Sequence, residues 1–153
     1  MMSPRVEHLT RKDWTLLVIS AAGGKSLTPA QLQKSLFLVG EGFPAAVKPD
    51  FYEFQPYDFG PFSAAIYHDA DLLASEGHVA RQQVPGKRWS EYMATREGLG
   101  EASELGKAVS PEVLDYIRKV VKWAQSVSFQ QLIRTIYAMF PAYKVRSVFR
   151  DDK

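Results

Sequence analysis

Histidines are the residues most able to bind a metal ion or transfer a proton, and their spacing in this chain does not assemble a site. His8, His68 and His78 form no pair at the helical spacing of three or four that brings two ligands together. The sequence has no cysteine, which excludes thiolate catalysis, disulfides and cysteine-ligated zinc. No Gly-x-Ser-x-Gly elbow is present. We therefore predict no catalytic residue, no metal site and no cofactor.

Two short matches to phosphate-binding and kinase motifs fail on their context. Gly23-Gly24-Lys25-Ser26 matches the end of a P-loop, but the position that should hold the first glycine of that motif is Ile19. Asp58-Phe59-Gly60 matches the magnesium-binding triplet of kinases, but the glycine-rich and catalytic loops of kinases are absent from the sequence. The first segment is typical of a helix end and the second of a turn.

An acidic, aromatic-rich stretch gives the strongest signal for binding. Residues 41–77 carry one basic and seven acidic residues, a net charge of −6. Core packing explains part of such an aromatic set, whereas an exposed aromatic patch is a common binding hot spot. We predict that this region meets a basic protein surface through Tyr57, Phe59, Phe62, Tyr67, Asp69 and Asp71.

Basic residues are concentrated elsewhere in the chain. Residues 118–150 carry seven basic and no acidic residues, a net charge of +7. A surface of this kind can follow the phosphates of a nucleic acid. In that alternative we expect contacts from Arg81, Lys87, Arg88, Arg118, Lys119 and Lys122. Blocks of alternating charge also attract each other within one fold, so both interpretations stay open.

The elements that must position these residues are predicted to be mainly α-helical with a small β-hairpin. Three helices precede a hairpin of His78–Val84 with Trp89–Ala94, and further helices close the chain. Two packed helices, a third helix and a hairpin wing are typical of a winged helix. We predict one domain over residues 1–153, with a winged-helix-like core over about 13–106 and a C-terminal helical extension over about 110–149.

Capping residues set the expected helix starts. Asp13 is predicted to cap the first helix. Thr28 and Gln31 have the spacing of a capping box at the start of the second helix, and Ser128 and Gln131 have it at the start of the last.

The segment between the second and third helices is predicted to be extended and then to turn sharply. Residues 51–59 alternate as in a strand or extended segment, which Gly60-Pro61 stops. Gly60, Pro61 and Ser63 are predicted to form a structural turn, in which glycine supplies backbone freedom, proline fixes φ and Ser63 caps the third helix.

Three segments of the chain form a pattern that occurs together in one family. They are Leu27–Phe37 (LTPAQLQKSLF), the segment Phe54-x-x-Tyr57-x-x-Gly60-Pro61-Phe62-Ser63 with its continuation to Gly77, and Ile136–Tyr143 (IYAMFPAY). On these residues the chain, from about 13 to 149, resembles the Panacea, or SocA-like, antitoxin domain family, which includes phage-associated GepA-like proteins. Ser35 departs from the pattern, because an apolar residue is usual there.

The resemblance implies a protein partner and assigns no catalytic residue. Proteins of this family are mostly described as antitoxins that neutralise a neighbouring toxin. We therefore expect a non-enzymatic protein-binding module, an antitoxin of a toxin–antitoxin system whose toxin is encoded nearby.

The alternative function is a winged-helix DNA-binding transcriptional regulator. A recognition helix must approach phosphates, yet the third helix carries Asp69, Asp71 and Glu76 and no basic residue. No apolar run reaches the length of a signal peptide or of a bilayer span. We expect a cytoplasmic protein without membrane contact.

Overall fold

The computed structural model describes residues 8–145 and 147–149. Its elements are, in chain order, α1 (Arg11–Ala21), α2 (Pro29–Gly42), α3 (Pro44–Val47), β1 (Gln55–Tyr57), β2 (Gly60–Phe62), α4 (Ala64–Ser75), β3 (Val79–Gln83), β4 (Ser90–Ala94), α5 (Arg96–Gly106), α6 (Pro111–Ser126) and α7 (Phe129–Met139). A 3₁₀ turn over Pro141–Lys144 follows α7. The predicted fold class, mainly α with a small β-hairpin, is confirmed, and the structure adds a second hairpin, β1–β2.

Helix α1 begins one turn earlier than predicted. Thr10, not Asp13, is the N-cap: its side chain accepts a hydrogen bond from the backbone N–H of Asp13, and the Asp13 carboxylate accepts one from the N–H of Thr10. This reciprocal pair is a capping box, so the prediction that Asp13 is the cap is wrong. The middle of α1, Trp14–Ile19, is buried throughout.

Helix α2 lies at the centre of the fold and begins with the predicted capping box. Thr28 Oγ1 accepts from the N–H of Gln31, and the Gln31 side chain accepts from the N–H of Thr28. From Leu32 to Val39 every residue of this helix is buried. A helix that is buried on all sides needs packing partners around its whole circumference. Helix α2 contacts α1, β2, β4, α6 and α7.

The predicted wing is present, and it joins the helices as in a winged helix. Strands β3 and β4 form an antiparallel hairpin that pairs Val79 with Ala94. Leu27, which lies just before α2, forms a bridge to Tyr92 of β4 through two backbone hydrogen bonds of 2.8 and 3.0 Å. The order α1, bridge, α2, α4, hairpin is the connectivity typical of a winged helix, with α3 and the β1–β2 hairpin inserted between α2 and α4.

The inserted hairpin corrects the predicted extended segment and turn. Asp58 and Phe59 form the turn, and Gly60-Pro61 lies inside strand β2 instead of stopping a strand. Pro61 is opposite Pro56, and neither proline can donate a ladder hydrogen bond, which explains why the sequence predicts that Gly60-Pro61 ends a strand and does not reveal β2. Gly60 has a φ of +101°, a backbone conformation that favours glycine, so this position requires the conformational freedom that the sequence predicted.

Ser63 precedes α4 as predicted but does not cap it with its side chain. Its backbone is engaged instead: the Ser63 N–H donates to Oε1 of Gln33 at 2.9 Å, and the Ser63 carbonyl accepts from Nε2 of Gln33 at 2.8 Å. The predicted capping role is therefore wrong, because the segment is held by a neighbouring helix and not by its own side chain.

The C-terminal helices pack back onto the winged-helix elements. Helix α6 packs on α1 and α2, and α7 packs on α2 and β2. Ser128 caps α7 by accepting the N–H of Gln131, which is one of the two hydrogen bonds of the predicted capping box. Within the described ranges, no helix has the length and apolar character needed to cross a bilayer.

A close backbone approach at Gly98 generates a stability prediction. A Cβ atom on Gly98 would lie 1.9 Å from the carbonyl oxygen of His78, whereas one on Gly100 of the same helix would meet nothing within 4 Å. We expect Gly98→Ala to lower the free energy of unfolding by about 1–3 kcal/mol, because backbone must move to admit the methyl group. Gly100→Ala should raise it by up to about 1 kcal/mol through helix propensity. Urea unfolding measures the free energy of unfolding of both variants. Equal changes in the two variants would contradict the close backbone approach at Gly98.

Candidate functional site

An apolar groove of about 620 Å³ lies at the predicted aromatic binding residues. The β1–β2 hairpin, the first half of α2, the end of the wing loop and the α6–α7 junction enclose it. We call it the aromatic groove, and its aromatic lining consists of Tyr57, Phe59, Phe62, Tyr67, Trp89 and Phe129. Small apolar side chains of α2, α6 and α7 complete the walls.

The aromatic side chains of the groove support one another while keeping exposed faces. Tyr57 and Phe62 stack with ring centroids 4.8 Å apart, and Phe62 meets Tyr67 edge to face at 5.8 Å. Phe59, in the hairpin turn, meets Phe129 at the start of α7 edge to face at 5.3 Å. Phe59 and Phe129 nevertheless remain 40% and 46% exposed, so their contact leaves apolar surface for a ligand.

The hairpin side of the groove is fixed to α2 through the Gln33 amide. This side chain bonds both the N–H and the carbonyl of Ser63, as a neighbouring strand would. Burial raises the pKa of Tyr67 to about 12, and the Gln33 amide opposes part of that rise. Tyr67 is therefore a neutral wall of the groove at physiological pH.

Lys34 also lines the groove. Its side chain is only 4% exposed, and Nζ donates one long hydrogen bond, 3.4 Å, to the carbonyl oxygen of Pro61. Burial lowers the pKa of Lys34 from 10.5 to about 8, because a charge is costly to remove from water. Among the residues that the structure describes, no Asp or Glu forms an ion pair with Lys34.

The structure separates the predicted aromatic and acidic binding residues. Tyr57, Phe59, Phe62 and Tyr67 all line the groove. Asp69 and Asp71 do not, and Asp69 is buried on the inner side of α4.

Asp69 belongs to a structural network. Its Oδ2 accepts from the Tyr52 hydroxyl at 2.6 Å and lies 3.0 Å from Nε of Arg11. Since the single Tyr52 hydrogen points to Asp69, Thr15 donates to the Tyr52 oxygen at 2.7 Å. Burial, followed by the bond to Asp69, raises the pKa of Tyr52. This placement corrects the expectation that Asp69 contacts a partner protein, since its carboxylate is bound by Arg11 and Tyr52 inside the fold.

Among the groove residues that the predicted set lacked are Lys34, Trp89 and Phe129. The burial of Lys34 could have been inferred from the sequence, because it lies in α2 between Leu32 and Leu36, which mark the inward face of that helix. No sequence pattern points to Trp89 and Phe129 as groove residues, since only the tertiary fold brings the wing loop and the start of α7 beside the hairpin.

The residues of the nucleic-acid alternative lie on the wing and on the exposed side of α6. Arg81 is 3.0 Å from Asp71, and Lys87 lies over the Trp89 ring at 5.2 Å. Asp115 lies 3.8 Å from Arg118 and 2.9 Å from Lys119. Arg88 and Lys122 are exposed. Two other cations of the 118–150 segment, Arg146 and Arg150, lie outside the described residues.

Comparison with protein-family models, with curated proteins and with solved structures finds no match. The resemblance to the Panacea family therefore stays a prediction from the sequence. A search of residues 8–145 and 147–149 finds no group of three or more His, Asp or Glu residues that could hold a metal ion.

The two acidic residues of α4 give a matched pair for mutagenesis. Asp69→Asn removes a buried charge that Arg11 and Tyr52 require, and we expect the free energy of unfolding to fall by about 3 kcal/mol. Asp71 is half exposed, so Asp71→Asn should change it by less than about 1 kcal/mol. Chemical denaturation distinguishes the two, and a small effect at both positions would remove Asp69 from the structural core.

Lys34 gives a prediction whose sign depends on pH. Its folded pKa lies below its unfolded pKa, so the unfolded chain binds more protons between pH 8 and 10.5, and stability rises with pH across that window. The difference corresponds to about 3 kcal/mol of destabilisation at pH 7. We expect Lys34→Met to stabilise the protein by about 1–3 kcal/mol at pH 7 and by much less at pH 10.

Exposed Lys25 provides the control for this measurement. Lys25→Met should leave the free energy of unfolding nearly unchanged at both pH values, because Lys25 is solvated. Tyrosines titrate in every variant, so the differences between variants isolate the lysine. A stabilisation by Lys34→Met of equal size at pH 7 and pH 10 would show that the buried charge is not its source.

Proposed function

We propose that this protein is a non-enzymatic protein-binding module whose aromatic groove receives an apolar segment of a partner protein. The observation that carries the proposal is the groove itself: a concavity of about 620 Å³ in which aromatic rings from four parts of the chain converge. Aromatic side chains in well-packed concave surfaces supply most of the energy at protein interfaces. Such rings lose little conformational entropy on binding when neighbours already hold them.

Exposure at the rim favours an extended occupant. Tyr57, Phe59, Trp89 and Phe129 are each between 40% and 51% exposed. A ligand confined to the interior of the groove would leave these rings in water, whereas a peptide segment would cover them. Six of the described lining residues are aromatic, and the one carboxylate among them, Asp58, forms no ion pair with Lys34.

The resemblance to antitoxins supplies the class of partner. Under this proposal the partner is a toxin encoded nearby, and occupation of the groove is part of its neutralisation. The charge of α4 disfavours the DNA-binding alternative, because Asp71 and Glu76 are exposed on the helix that a winged helix would present to DNA.

Selection from a library of random twelve-residue peptides tests the proposal without a known partner. We expect wild-type protein to enrich apolar sequences, and Phe59→Ala with Phe129→Ala to weaken their binding at least tenfold by removing the exposed ring faces. Leu72→Ala and Leu99→Ala are matched controls, because these side chains are similarly exposed, at 39% and 43%, on α4 and α5. Fluorescence anisotropy of selected peptides gives the affinities.

Two outcomes would overturn the proposal. One is that no peptide is enriched whose binding depends on Phe59 and Phe129. The other is tight binding of wild-type protein to duplex DNA in physiological salt that weakens when Arg81 and Lys87 are replaced, which would establish the regulator instead.

A further inference from the structure

Lys34 is an unusual residue to find in an apolar groove. A lysine side chain is rarely buried to this degree without a partner, because removal of its charge from water is unfavourable. An ammonium group has three donors, and the structure gives this one a single long contact, to the carbonyl of Pro61. The neighbouring amide that could accept a bond, Gln33, has its oxygen occupied by the N–H of Ser63.

The protein therefore holds a cation that its described residues do not neutralise. With a pKa of about 8, Lys34 is mostly protonated at pH 7. A carboxylate that enters the groove replaces the water lost by Nζ and forms its ion pair in a low-dielectric site. Electrostatic attraction is stronger there than at the surface.

We propose that the aromatic groove selects a partner segment that carries an aspartate or glutamate among apolar residues, and that Lys34 pairs with this carboxylate. The inference rests on the proposed function and specifies its ligand. The rings bind the apolar side chains, and the ammonium group fixes which position of the segment carries the negative charge.

A single carboxylate suits the site better than a phosphate group. Lys34 is the one basic residue among those that line the groove, and Asp58 also lines it, so a doubly charged group would gain one attraction and meet a repulsion. Arginine clusters with several donors are the usual partners of phosphate. The exposed rim rings again favour an extended peptide over a small free acid.

The experiment repeats the peptide selection with wild-type, Lys34→Met and Lys25→Met proteins. Peptides are displayed as fusions without a free C-terminus, so that side chains supply the only carboxylates. We expect wild type and Lys25→Met to enrich one Asp or Glu at a fixed position among apolar residues. Lys34→Met should enrich apolar sequences without that acidic position. Thermal melting verifies that each variant is folded.

A double-mutant cycle then measures the pairing. For the best wild-type peptide, exchange of its acidic residue for the matching amide should weaken binding to wild type at least tenfold. The same exchange should change binding to Lys34→Met less than twofold. A charge effect that survives in Lys34→Met would overturn the assignment to Lys34.

The same data separate the inference from the proposed function. Apolar peptides that need Phe59 and Phe129 but show no acidic preference would overturn the inference and leave the binding module intact. Peptides that bind independently of both rings would overturn the proposed function and the inference together.

Discussion

The pairing of the Gln33 amide with the backbone of Ser63 is the constraint on which the binding surface depends. Strands β1 and β2 have three residues each and two opposed prolines, so the hairpin has few hydrogen bonds of its own. Isolated hairpins of this size are unstable in water. Gln33 supplies a donor and an acceptor from a buried helix, and Ser63 is itself buried. The Ser63 carbonyl also accepts from the N–H of Ile66, so removal of the Gln33 amide leaves the Ser63 N–H as the unsatisfied group.

Attachment of the hairpin to α2 also decides where the groove forms. The backbone at Gly60 lies against Lys34 and Tyr137, and its positive φ lets the strand pass between them. Phe59 is thereby carried toward Phe129, and the wing loop closes the other side with Trp89. An ordinary winged helix has no such insertion, so here the scaffold supplies rigidity and the inserted segment supplies the surface.

The sequence predicted what local rules govern and missed what only tertiary contacts decide. The capping box of Thr28 with Gln31 and the wing both follow from spacing that short segments fix by themselves. The alternation over residues 51–59 indicated the extended segment that contains β1, but the partner strand β2 was missed, because Gly60-Pro61 is typical of the end of a strand. Asp69 was assigned to the surface because charge counting along the chain does not reveal that Arg11, 58 residues earlier, provides its counterion.

The two buried charged residues, Asp69 and Lys34, differ in whether the fold provides a counterion. Asp69 has a cation and a hydroxyl donor within 3.0 Å, so its charge contributes to holding α1 against α4. Lys34 has a backbone carbonyl alone, and its lowered pKa measures a destabilisation that the fold tolerates. A destabilising group at the floor of a concave apolar surface is typical of sites where binding, not folding, uses the interaction. By this reasoning the paired aspartate belongs to the scaffold, and the unpaired lysine belongs to the proposed binding site.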